Sequence, residues 1–95
     1  MKFDFNKKFL TAGGKEDAGL TMAEFLSPAL AHAKGIASTY QQKFWNWSVA
    51  LASSGTLDLD DADAKFLANF IRSHNDLPVV VQQQSAEILE AKEAA

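Results

Sequence analysis

The residues from Tyr40 to Leu51, Tyr-Gln-Gln-Lys-Phe-Trp-Asn-Trp-Ser-Val-Ala-Leu, constrain this chain more than any other stretch. They hold four of its ten aromatic residues, both tryptophans included. At about 100° per residue, Tyr40, Phe44, Trp47 and Leu51 fall on one helical stripe, and Trp45, Val49 and Ala52 fall on a second, roughly 140° away. A helix with one apolar stripe docks on one core. A helix with two is either central to its domain or offers its second face to a partner. The other segments must therefore be read for whether they can cover one stripe or both.

Ninety-five residues make one small domain, 1–95, with a core of its own. Ten aromatic residues and a 47% hydrophobic share supply more apolar area than a disordered chain carries. A net charge of −3, with no clustered basic face, argues against nucleic-acid backbones and against anionic membrane surfaces. With no cysteine, disulfides, thiolate catalysis and cysteine-ligated metal sites are excluded. Met1-Lys2-Phe3-Asp4-Phe5 has no apolar signal core behind it, and no run approaches the ~18 apolar residues of a membrane span. The expected compartment is a cytoplasm, the chain's own or a host's.

Phe3 and Phe5 alternate with Lys2, Asp4 and Asn6, the pattern of a half-buried strand. Phe9 and Leu10 could start a second strand and complete a hairpin. Ala12 to Gly19, with Gly13-Gly14 and Gly19 around a charged run, reads as a turn or loop. Thr21 and Glu24 have the spacing of a capping box, with Leu20 and Phe25 placed as a hydrophobic staple. The apolar stripe continues through Pro28, which predicts one helix, bent on its outer side, from about Met22 to Lys34. Gly35 ends it, and Ser38 or Thr39 caps the aromatic helix, which runs to about Ser53 with Gly55 as its stop. Thr56 to Asp63 reads as the opening of a third helix, capped by Asp58 or Asp60, with Leu59, Phe66 and Phe70 as its main stripe, widened by Leu67 and Ile71. Asn75 is a left-handed terminator. Asp76-Leu77-Pro78 starts a last helix, with Leu77, Val81, Gln84, Ile88 and Ala91 on one face and a fraying tail.

Motifs that would carry chemistry do not match. Counted from Asp58, an EF-hand loop needs an oxygen ligand, Gly and Glu at its fifth, sixth and twelfth positions, where Ala62, Asp63 and Asn69 stand. The carboxylates instead suit a helix start. His32 and His74 have no metal-ligand companion at the spacing of a zinc helix. No serine sits in a Gly-x-Ser-x-Gly elbow. Gly13-Gly14-Lys15 lacks the first glycine of a phosphate loop, since position 8 is Lys8, and Glu16 stands where Ser or Thr is needed. Lys7-Lys8 beside Phe9 is far short of a nucleic-acid signature. No catalytic residue, metal or cofactor is expected.

Two readings of Trp45 follow. In one, a compact helical domain wraps both faces of the second helix. In the other, Trp45 and Val49 form an exposed patch, and tryptophan is enriched in interface hot spots. Broad stripes on the neighbouring helices favour a mostly covered face with Trp45 at its rim. Gln84 falls within an apolar stripe, so it must find a hydrogen-bond partner or lie at an interface. The candidate partner-binding residues are Trp45, Val49, Gln41 and Gln84.

Met1-Lys2-Phe3-Asp4-Phe5, Gly13-Gly14, Leu20-Thr21, Leu57-Asp58-Leu59 to Asp63, and Leu77-Pro78-Val79-Val80-Val81-Gln82 together resemble small accessory proteins of tailed bacteriophages and prophages. Pro28 and Trp45-Asn46-Trp47 depart from that pattern. The resemblance implies a phage setting and no defined activity, so it assigns no residue a role. The expected fold is mainly α: a short N-terminal strand or hairpin, then about four helices around the aromatic one. The expected function is non-enzymatic: docking on a phage or host protein, as assembly factor or inhibitor. The alternative is a structural component that self-associates.

Overall fold

The structure, a computed structural model, describes residues 1–74 and 77–90. In chain order the elements are strands β1 (Lys2–Asp4), β2 (Lys8–Leu10) and β3 (Glu16–Thr21), helices α1 (Met22–Ala31) and α2 (Ser38–Ser53), strand β4 (Thr56–Asp58), and helices α3 (Asp61–Ser73) and α4 (Val79–Glu90). The described residues are mainly α, with short strands at the N-terminus and four helices. Among the described residues no helix is long and apolar enough to cross a membrane.

The strands form two antiparallel pairs, β1 with β4 and β2 with β3. The second pair is the hairpin. Its turn is closed by the Thr11 N–H on the Lys15 carbonyl at 2.7 Å and the Gly14 N–H on the Thr11 carbonyl at 2.9 Å. Gly14 stands at φ +82°, a conformation that suits glycine. β3 occupies residues expected to be loop. It lacks apolar alternation and is recruited by pairing instead. The register slips between Lys8↔Thr21 and Leu10↔Glu16, so the strand is bulged.

The first pair corrects the expectation that Thr56 already opens a helix. Residues 56–58 are a strand, with Phe3 opposite Leu57. The local pattern explains it: Leu57 and Leu59 are buried while Asp58 points out, a period of two. Only then does Asp60 cap α3, accepting the Asp63 N–H on Oδ1 at 2.8 Å.

The N-terminal segment threads between β4 and the start of α1. The Phe5 N–H donates to the Gly55 carbonyl at 2.8 Å. On its other side, Lys7 and Phe5 carbonyls accept the first two helical N–H groups of α1, from Met22 (2.8 Å) and Ala23 (2.9 Å). The capping box forms as expected, with the Glu24 N–H on Thr21 Oγ1 at 3.2 Å and the Thr21 N–H on Glu24 Oε1 at 3.0 Å. The donors that a helix start leaves without partners are thus satisfied here by carbonyls of the segment between β1 and β2 and by one side chain. The staple is different: Leu20 is exposed, and Phe25 packs edge-on to Phe9 at 6.1 Å. α1 runs through an exposed Pro28 but stops at Ala31, short of Lys34, with His32 as its C-cap.

α2 begins behind Ala37, with no side-chain cap; neither Ser38 nor Thr39 serves. Gln41 Nε2 instead donates to the Ile36 carbonyl at 3.1 Å, tying the first turn to the connection from α1. At the other end Gly55, at φ +75°, returns its N–H to the Ala50 carbonyl at 3.1 Å.

α1 packs on α2, and α3 on α4. Aromatic rings join the two layers. Tyr40 stacks on Phe66 at 3.8 Å, and Phe44 meets Phe70 edge-on at 4.9 Å. α3 therefore buries Ala64, Leu67, Ala68 and Ile71, while Phe66 and Phe70, expected as its main stripe, are half-buried. It must serve α4 as well as α2, and its small residues turn toward the closer neighbour. α4 starts at Val79, directly after Pro78, and buries Val81, Ser85, Ala86 and Leu89. Asn75, Asp76, Ala91 and the expected fraying tail lie outside the described residues.

Candidate functional site

The groups that most resemble a chemical site are occupied with structural tasks. Asp60 is a helix cap, and Asp63 holds Lys43 Nζ at 3.0 Å, raising the Lys43 ammonium pKa. Asp58 accepts from the Met1 amino group at 3.0 Å. The acidic run is therefore spread over a strand end, a cap and an inter-helix pair. His74 stacks on Phe70 at 4.9 Å, and His32 ends α1 far along the chain from it. Among the described residues no cluster of three or more His, Cys, Asp or Glu could hold a metal ion.

The glutamine triplet is likewise structural. Gln82 Nε2 donates to the carbonyls of Arg72 (3.1 Å) and His74 (2.9 Å), closing the C-terminal end of α3. Gln83 accepts from Arg72 and donates to Glu87. Arg72 also clasps both oxygens of Glu90 at 2.9 and 2.7 Å, which lowers the Glu90 pKa. Gln84 accepts the Leu10 N–H and donates to the Leu10 carbonyl, each at 2.8 Å. Its amide takes the place of a neighbouring strand along the edge of β2. The partner that Gln84 was expected to need is thus inside the molecule.

What is left open is the outer side of α2. Trp47, Phe44 and Leu51 are buried, and Tyr40 is half-buried, so the first stripe is core as expected. The second stripe is not covered. Trp45 is 57% exposed and Val49 48%, and Ala52 is exposed too. This corrects the expectation of a mostly covered face. The cause is geometric: the α3 rings meet α2 on the Tyr40–Leu51 side, α1 packs along it, and among the described residues Trp45 and Val49 stay exposed.

Trp45 stands at the mouth of a groove of about 150 Å³ between α1 and α2, lined by Leu30, Ala31, Ala33, Ile36, Gln41 and Phe44. Trp45 and Gln41 therefore belong to one feature, with Val49 one turn further along the same helix. Gln84 lies elsewhere, in a groove with Leu10, Met22 and Ile88. The α1 wall of the Trp45 groove escaped sequence reasoning. The helix was expected to continue to Lys34; with its end at Ala31, Ala33 and Ile36 line the groove from the connection to α2.

On α2 the residues around Trp45 are nearly free of charge, while exposed His32 and Lys34 flank Ala33 on the opposite wall of the groove. Of the sixteen residues of α2 only Lys43 is charged, and it is engaged by Asp63. The polar residues around Trp45 are the amides Gln41, Gln42 and Asn46, and Gln42 Nε2 donates to Asn46 Oδ1 at 3.0 Å. Trp45 is thus an exposed indole beside an apolar groove, with neutral amides around it on α2. No family model, curated protein or solved structure matches the chain.

Proposed function

We propose that the chain is a non-enzymatic, protein-binding accessory protein whose contact surface is the outer face of α2. The observation that carries the proposal is the 57% exposure of Trp45, beside Val49 at 48%, on a helix whose inner face is already complete. Leu10, Leu20, Val79 and Val80 are exposed as well, but Trp45 and Val49 share one stripe of one helix beside an apolar groove, and a patch of that kind suits a contact surface. The employment of the acidic run and the glutamines in caps and pairs supports the non-enzymatic reading. The resemblance of the N-terminal strand and later helix starts to small phage and prophage proteins supports a phage setting, with a host cytoplasm as compartment.

A photo-reactive amino acid at Val49 tests this in the cells where the protein is expressed. The expected result is one or a few discrete cross-linked species of defined mass, lost when Trp45→Glu is added. A continuous smear, or species unaffected by that change, would overturn it.

A further inference from the structure

We infer that the occupant of this face is a second copy of the chain, joined across a two-fold axis so that Trp45 of each copy enters the α1–α2 groove of the other. The inference rests on the docking reading above and names its partner. Three observations carry it.

The first is that knob and hole lie on the same surface. In a two-fold contact each patch meets its own copy, so a residue that fills a pocket must come from the patch that also carries the pocket. Trp45 projects from the rim of the groove walled by Leu30, Ala31, Ala33 and Ile36. A rotation axis passing close to Trp45 brings each indole over the partner's groove, and both exchanges form together.

The second is size. The groove holds about 150 Å³, with an apolar lining and Gln41 at its edge. Benzene fills an enclosed apolar cavity of about that volume, so this open groove has room for the six-membered ring of an indole, with the rest of the side chain outside it.

The third is charge. Around a two-fold axis like charges face each other, and such juxtaposition is costly. The chain carries a net charge of −3, yet α2 brings a single charged residue, already paired with Asp63 on the side toward α3. Amides dominate the rim, and an amide both donates and accepts, so Gln41, Gln42 and Asn46 can pair with their own copies. On α2 itself a basic or acidic partner would find no charge beyond the Lys43–Asp63 pair.

The test is sedimentation velocity of the purified chain over a concentration series, with tryptophan emission recorded on the same samples. The expected result is a shift from the 10.3 kDa chain to twice that mass. Iodide should quench Trp45 in dilute samples and lose access to it as the dimer forms. Trp45→Glu removes the knob and Ala31→Trp fills the hole. Both change exposed positions, and each should weaken self-association by ~30-fold or more, the loss expected at a hot spot. A chain that stays monomeric at millimolar concentration, with Trp45 still quenched, would overturn the inference. So would a dimer that both variants leave intact. In the first case a discrete adduct at Val49 to a different protein would leave the docking reading standing; loss of both results would remove that reading as well.

Discussion

Trp45 and Trp47 stand two residues apart on α2, one 57% exposed and the other 8%. The same side chain therefore does opposite work on one helix. Trp47 packs on Phe44 of the same helix at 5.3 Å and lies in the core. Trp45 faces outward beside a groove. The difference comes from the neighbours. The α3 rings meet α2 on the Tyr40–Leu51 side, α1 packs along it, and Ser27 Oγ reinforces the α1 contact by donating to the Ser48 carbonyl at 2.8 Å. A helix in a small domain can hold the core together with one face and keep the other for contacts outside it.

The sharpest way to break that comparison is to truncate each tryptophan. Trp47→Ala should cost about 3–5 kcal/mol, the range for a large core side chain replaced by alanine. Trp45→Ala should stay within about 0.5 kcal/mol, as at other exposed positions. Urea unfolding of the two variants, read by far-UV circular dichroism in dilute monomeric samples, measures both. Equal losses would show that Trp45 belongs to the core.

The inner half of this comparison was legible in the sequence. A 3.6-residue period fixes which residues share a stripe, and Tyr40, Phe44, Trp47 and Leu51 obey it. Capping signals were legible for the same local reason: the Thr21–Glu24 box, Asp60 as a cap and Gly55 as a stop all form within a few residues. Two local signals, the Ser38 or Thr39 cap and the Leu20–Phe25 staple, did not form, and the remaining failures were non-local. The pairing of β1 with β4 joins residues more than fifty positions apart, and Thr56-Leu57-Asp58-Leu59 carried both a strand alternation and a helix-start acidity. The exposure of Trp45 depended on which sides of α2 its neighbours would approach, and periodicity does not give direction of approach. Phe66 and Phe70 misled in the same way. Large rings looked like core, but alanines at 64 and 68 are what allow α4 to lie close.

A second test asks what holds the inner face in place. α2 stops where Gly55, at φ +75°, lies directly under the Asn6 side chain, whose Nδ2 donates to the Ser54 carbonyl at 2.7 Å. A Cβ at position 55 would overlap the Asn6 carboxamide. Gly55→Ala should therefore cost at least ~1–2 kcal/mol from backbone conformation alone. Thermal unfolding measures it. Gly35→Ala serves as the control: it has a similar φ of +73° but open space around it, so only the backbone cost should appear. If the two cost the same, the Asn6 contact does not help to position α2.

The counterpart of an apolar residue outside is a polar one inside. Ser85 is fully buried on α4, and its hydroxyl has no hydrogen-bond partner among the described residues. Ser85→Ala should raise stability by about 1 kcal/mol, because an unsatisfied buried hydroxyl carries a desolvation cost. Denaturant midpoints of the two proteins give the answer. A loss instead of a gain would show that the hydroxyl is used.

The smallest effect concerns acid, and it separates the polar frame from α2. The Thr21 backbone N–H, then the Thr21 side chain, holds the Glu24 carboxyl below its ordinary pKa of 4.5, and Arg72 does the same for Glu90. A carboxyl whose pKa is depressed in the folded state contributes stability above its ordinary value. That contribution is lost as pH falls through the lower folded value. Both contributions should therefore be complete at neutral pH and fade below 4.5, where the capping box and the Arg72–Glu90 clasp loosen. Both groups are exposed to solvent, so the change is a small fall in melting temperature between about pH 6 and about pH 3. Glutamine keeps an acceptor for the Thr21 N–H but does not titrate. Glu24→Gln with Glu90→Gln should thus flatten this part of the profile. Neither carboxyl lies on α2, so the contrast in iodide access between Trp45 and Trp47 should persist through the same range. If access to Trp47 rose in step with the fall, the inner face of α2 would depend on the polar frame as well as on its own packing.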